Sequence, residues 1–157
     1  MDTSTPDAAE PNAGNLPLAD YLCFAIYSAN LAFGKAYKPI LDELGLTYTQ
    51  YITVIALSEQ DNQTVSGLGE KLFLESNTLT PILKKLEAMG YLTRRRDSAD
   101  ERQVIVSLTE TGKRLRQQAA EGKNLFQACG LSAQEFPKMQ KSVVALRDNL
   151  LRSMAEK

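Results

Sequence analysis

The 157-residue chain contains no histidine. That removes the commonest general base at neutral pH and the commonest metal ligand. Cysteine is nearly absent too: Cys23 and Cys129 are the two thiols. Two isolated cysteines do not make a zinc site, and they form no disulfide framework, which points to a reducing, cytoplasmic setting. No metal, no cofactor and no enzymatic activity is therefore expected. Long hydrophobic runs are missing, and the start has no secretory pattern, so no membrane partner is expected either. Excess positive charge is also lacking. A net charge of -1 and a pI near 5.6 exclude a generally basic nucleic-acid coat, so any affinity for nucleic acid has to come from a local cluster.

What is present concentrates between Val65 and Thr109. A short helical pattern runs Val65 to Phe73, with Leu68 and Leu72 one turn apart. A second begins at the polar run Ser76-Asn77-Thr78. Its Leu79, Ile82, Leu83 and Leu86 share one helical face, and Gly90 stands at a C-cap position. Pro81 suits only the first turn of a helix, which predicts a start near Asn77 or Thr78. Two strand-like segments follow, Tyr91 to Arg96 and Arg102 to Leu108, around the polar turn Asp97 to Glu101.

Helix, turn, helix and basic hairpin make a winged helix-turn-helix. The expected fold is mainly α with a small β-hairpin wing. A recognition helix needs an apolar face for the core and a polar face for base edges and phosphates. Ser76, Asn77, Thr78, Thr80, Lys84 and Lys85 supply the polar face. The wing carries Arg94, Arg95, Arg96, Asp100 and Arg102, and arginine suits phosphates and a narrow minor groove. Read alone, such charges also fit a solvated surface. Behind a helix-turn-helix they favour double-stranded DNA.

The flanks are helical. Residues 1–15 have the composition of a disordered arm, and residues 16–157 are expected to form one domain. A long helix from Leu16 to Leu44 carries the stripe Leu22, Ile26, Ala29, Phe33, Tyr37 and Leu44. Asn15 can cap it, Pro39 should kink it and Gly45 ends it. A second helix spans about Thr49 to Gln60, and Asp61-Asn62-Gln63 turns into the DNA-binding stretch. After the wing, Thr109 caps a helix reaching about Cys129. Ser132 to Glu135 is a capping box, followed by an a/d seam of Phe136, Met139, Val143, Leu146 and Leu150. Residues 16–60 and 109–157 thus read as dimerisation helices around a winged helix at residues 61–108. A homodimer carrying two recognition helices roughly 34–36 Å apart calls for an inverted-repeat operator.

Cys23 lies among Leu22, Phe24, Ile26 and Tyr27. Tyr37 is fourteen residues on, roughly 21 Å along a straight helix at about 1.5 Å per residue. It can reach the Cys23 of an antiparallel partner, and Tyr48 can join it. Phenols donating to sulfur favour the thiolate. From composition alone, a single cysteine among aromatics on a helix is more often inert core packing, and the same holds for Cys129.

The element order, with Asp100-Glu101-Arg102 and Val104 to Thr109, resembles the MarR family of dimeric winged-helix regulators. Leu22-Cys23-Phe24-Ala25, with Tyr27, Tyr37 and Tyr48, and Leu79 to Glu87, resemble its organic-hydroperoxide-sensing repressors, the OhrR type. That resemblance implies a peroxidatic thiol at Cys23, hydrogen-bonded across the dimer by Tyr37 and Tyr48 with Tyr27 nearby. It also implies an intersubunit disulfide from Cys23 to Cys129, with an organic hydroperoxide as signal. Two other readings stay open: a repressor controlled by a phenolic ligand, and a thiol peroxidase.

Overall fold

The computed structural model describes residue 14, residues 16–120 and residues 128–157. The expected arm, apart from Gly14, and the Asn15 cap lie outside the described residues, as does part of the helix expected to reach Cys129. The described residues up to 36 form one compact unit and those from 37 onward a second.

In the first unit the expected single helix is split. A 3-10 turn, Leu18–Asp20, precedes Tyr21 in extended conformation, and helix α1 begins only at Leu22. Pro17 accounts for part of this: its carbonyl accepts from Asp20 at 2.9 Å, which closes a tight turn. Leu22, Ile26 and Phe33 of the apolar stripe are exposed on this unit, as is Leu31. Helix α1 is assigned over Leu22–Leu44 and includes Pro39.

The second unit is built from α2 (Tyr48–Glu59), β1 (Gln63–Thr64), α3 (Val65–Leu72), α4 (Ser76–Ala88), β2 (Leu92–Arg96), β3 (Val104–Leu108), α5 (Glu110–Ala120) and α6 (Glu135–Ala155). Its α2 starts one residue earlier than expected. Thr47 and Gln50 form a reciprocal capping box there: Gln50 N–H donates to Thr47 Oγ1 and Thr47 N–H to Gln50 Oε1. The sheet has three antiparallel strands in the order β1-β3-β2. The hairpin was expected. Strand β1 replaces part of the expected turn at Asp61 to Gln63, and a two-residue strand has no period to read.

Leu57, Leu68, Leu79, Leu83, Leu86, Leu92 and Val106 are each no more than 1% exposed and form the centre of the core. Each such leucine contributes about 1.5–3 kcal/mol by leaving water. They come from α2, α3, α4 and both wing strands, so the recognition helix and the wing are seated on one packed body. Gly90 ends α4 with φ 83°, a conformation that suits glycine. Thr109 then joins the end of α4 to the start of α5. Its hydroxyl donates to the Gly90 carbonyl at 2.6 Å and accepts from Gly112 N–H at 3.2 Å.

The capping box at the start of the last helix forms as read. Ser132 N–H donates to Glu135 Oε2 at 2.8 Å, and Glu135 N–H donates to Ser132 Oγ at 3.2 Å. These bonds hold the Glu135 carboxyl below the usual glutamate range. Of its seam, Met139, Val143 and Leu150 are exposed. Arg147 of α6 lies over the ring of Phe73, 4.6 Å from its centroid.

Candidate functional site

Helix α4 begins at Ser76, earlier than Pro81 suggested. Leu74 N–H is tied back to the Gly69 carbonyl at 2.9 Å, and the Glu75 carbonyl accepts from Thr78 and Leu79. These bonds start the helix upstream of the position that proline prefers. Pro81 therefore sits in the second turn on an exposed face, while Leu79 and Leu83 are buried on the opposite one. Ser76, Asn77, Thr78, Lys84 and Lys85 are all exposed. Thr80 is half-buried, and its hydroxyl donates to the Ser76 carbonyl at 2.7 Å.

The wing divides its charges. Arg95 and Arg96 are exposed, and Arg102 at the tip has a side chain 93% exposed. Arg94 differs: its side chain is 25% exposed and paired with Glu87 of α4 at 3.0 Å. Asp100 also works internally. Its Oδ1 accepts from both the main chain and Nε of Arg102 at 3.2 Å, while its carbonyl accepts from Gln103. A carboxylate so engaged shapes the tip and orients Arg102. The Arg96 guanidinium closes the turn on the Glu101 carbonyl at 2.8 Å. Beside this face a cavity of about 230 Å³ is lined by Thr64, Ser66, Ser76, Thr80, Arg94 and Arg102.

The second set of residues is aromatic and sulfur-bearing. On the first unit Cys23 is a free, exposed thiol. The rings of Phe24 and Tyr27 lie 6.2 Å apart beside it in the sequence, and Tyr27 is exposed. On the second unit Tyr37 meets Tyr48 edge-on, centroids 5.3 Å apart, and Tyr51 at 6.2 Å. Burial raises the Tyr37 pKa above the ordinary phenol value, and the charges of Tyr48, Tyr51 and Cys129 push the same way. Tyr37 is therefore a protonated hydrogen-bond donor at neutral pH. Cys129 is a free, half-buried thiol. The sequence reading missed Tyr51, although it stands three residues after Tyr48 on one helix and so shares its side. It also missed Glu87, whose signal was a lone acid seven residues before the wing arginine that it pairs with.

Among the described residues no group of three potential metal-binding side chains occurs, and no helix is long and apolar enough to cross a membrane.

A buried helix-turn-helix closed by an arginine-bearing antiparallel wing defines a winged-helix regulator of transcription. The profile described as transcriptional regulator SarA/Rot matches residues 35–118, more than half of the chain. The chain belongs to this family of MarR-type winged-helix regulators. It is 44% identical over 107 residues to the organic hydroperoxide resistance transcriptional regulator of Bacillus subtilis, covering 68% of this chain and 73% of that one. Among solved structures it is similar to reduced AbfR bound to DNA, with a TM-score of 0.71 and 34% identity, covering 85% of this chain and 94% of that one. It is also similar to the disulfide-formed AbfR, with a TM-score of 0.61 and 35% identity, covering 89% and 93%. AbfR is a protein of Staphylococcus epidermidis.

Proposed function

We propose that this regulator is a homodimeric repressor that binds an inverted-repeat operator and releases it when an organic hydroperoxide oxidises Cys23. The cluster of Tyr37, Tyr48 and Tyr51, three phenol rings with Tyr37 at 5.3 Å from Tyr48 and 6.2 Å from Tyr51, carries this reading. Such a cluster is built to donate hydrogen bonds to an anionic sulfur, and the chain has no histidine to do so. The exposed Cys23 of a partner chain is the sulfur it receives. Exposed apolar positions on α1 and α6 supply the dimer surface. The names of the Bacillus subtilis relative and of the disulfide-formed AbfR support the same chemistry.

The Cys23 thiolate attacks the distal oxygen of the hydroperoxide. The O–O bond breaks, the alcohol leaves with a proton from solvent, and sulfur is oxidised to a sulfenic acid. The Cys129 thiol of the other chain then displaces water and forms a disulfide. That bond requires Cα atoms usually under 7 Å apart. In the reduced state, Asn77, Thr78, Lys84 and Lys85 face the major groove, while Arg95, Arg96 and Arg102 face the backbone and minor groove. The working place of such a repressor is the cytoplasm.

Cys129→Ser should abolish the hydroperoxide-induced crosslinked dimer on non-reducing gels. A persistent band means that Cys129 is not the resolving thiol. Tyr37→Phe should slow sulfenate formation about tenfold, since a hydrogen bond to a charged group of about 1.5 kcal/mol shifts the thiolate population by that factor. Stopped-flow thiol trapping measures it; an unchanged rate removes Tyr37 from the site.

A further inference from the structure

Glu87 lies in the last turn of α4, and Arg94 is the central residue of β2. They are joined three times. The Arg94 backbone N–H donates to Glu87 Oε2 at 2.9 Å, Arg94 Nε to Oε1 at 3.3 Å, and Arg94 Nη2 to Oε1 at 3.0 Å. One carboxylate therefore grips both the main chain and the side chain of a single wing residue. Two guanidinium N–H groups converge on one carboxylate oxygen while the other oxygen takes the main-chain N–H, so the three charge-assisted bonds fix angle as well as distance. The link between α4 and β2 turns at Gly90 and is tied back by Tyr91 N–H to the Leu86 carbonyl at 3.0 Å, which fixes the base of the strand; the Glu87–Arg94 bonds grip it two residues beyond Leu92, toward the wing tip. Leu92 anchors the base of β2 in the core, while Thr93, Arg95 and Arg96 beyond it are exposed.

We propose that Glu87 is a positioning residue for DNA binding: through Arg94 it sets the angle of the wing against the recognition helix. Arg95, Arg96 and Arg102 are thereby held where the backbone runs past the groove entered by α4. Arg94 itself is withdrawn from phosphate contact, and its charge is spent on the clamp. This rests on the DNA-binding reading above. The paired guanidinium also holds the Glu87 carboxyl below the usual glutamate range. The folded-state value is depressed, so the pair is intact above the ordinary glutamate pKa. It is lost only as pH falls through the lowered one.

Two measurements on the full-length protein separate the clamp from the reading beneath it. The first uses no DNA. In Glu87→Ala the Arg94 amide should exchange with solvent at least tenfold faster than in the wild type; unchanged protection overturns the clamp. The second uses a duplex selected by the wild-type protein from a random-sequence pool, with affinity followed against salt. Each phosphate contact contributes about 0.9 to the slope of log K on log salt. Losing one contact per wing in a dimer should lower the slope by about 2. A slope that stays level overturns the proposal, and so does a steeper one, since that would mean Glu87 merely kept Arg94 from a phosphate. Arg94→Lys sharpens the contrast. It keeps the charge but not the fork, so its slope should fall as in Glu87→Ala; a wild-type slope makes Arg94 a phosphate ligand and overturns the clamp. If Glu87→Ala fails to fold, Glu87→Gln replaces it at nearly equal volume with the same expected directions. A wild-type protein that selects no duplex removes the DNA reading, and the amide measurement still decides the clamp.

Discussion

Cys23→Ser should bind its operator as the wild type does in reducing buffer, within about twofold, and should lose its whole response to organic hydroperoxide. Serine replaces sulfur by a slightly smaller atom at an exposed helix position, so neither the core nor the winged helix is disturbed. A hydroxyl at its ordinary pKa supplies no nucleophile at neutral pH. In the wild type, oxidation should weaken operator binding about a hundredfold, equivalent to about 2.7 kcal/mol between the two dimer states. Fluorescence anisotropy on operator duplex, with and without cumene hydroperoxide and then with dithiothreitol, measures both quantities. A mutant that still responds would falsify sensing at Cys23 and favour control by a bound small molecule. A reduced mutant that cannot bind DNA would make Cys23 structural instead.

The second large effect concerns folding. Gly112→Ala should destabilise the protein by about 3 kcal/mol or more, within the range of severe overpacking. A Cβ at Gly112 would lie 2.1 Å from the Tyr91 carbonyl oxygen and 3.0 Å from Leu108 Cδ2. The carbonyl belongs to the backbone and cannot swing aside, and it already accepts from Thr109 N–H at 3.1 Å. Relief therefore requires the first turn of α5 to move away from the Tyr91 backbone that leads into β2. Chemical denaturation and thermal melting report the loss, with an expected fall in Tm of roughly 6–12 °C for a chain of this size. A melting temperature equal to the wild type would mean that the first turn of α5 has room to shift.

The two cases differ in how far the sequence foretells them. Cys23 was conspicuous because the chain has so few reactive side chains and no histidine. Gly112 gave no sign at all: a glycine in the first turn of a helix reads as a mild propensity cost, and its necessity comes from a carbonyl twenty-one residues earlier. The same contrast recurs across the fold. Leu79, Ile82, Leu83 and Leu86 disclosed the recognition helix through their spacing. Ser132 and Glu135 disclosed the start of α6 through a local bond pattern, and Gly90 the end of α4. The split of the first helix at Tyr21, the brief β1 strand and the early start of α4 escaped. At β1 and α4, bonds to a neighbouring segment outweighed the propensity of the residues concerned; at Tyr21 the local turn closed on the Pro17 carbonyl did so.

The interface shows the same division. Lys84, Lys85, Arg95, Arg96 and Arg102 were legible as outward charges because a helix and a hairpin have fixed periods. Arg94 belongs to the same run of arginines, yet packing turns it inward onto Glu87. Asp100 is taken up by its own turn.

By itself, the sequence determined that the chain is a winged helix with flanking amphipathic helices, a scarce pair of thiols and no histidine chemistry. Periodicity, caps and composition are local properties, and local rules decode them. Only the tertiary structure decided which arginine is free for a phosphate, that three phenols gather on one unit, and that one glycine admits no side chain. Those outcomes depend on distances between segments far apart in the chain, which spacing along a single segment does not encode.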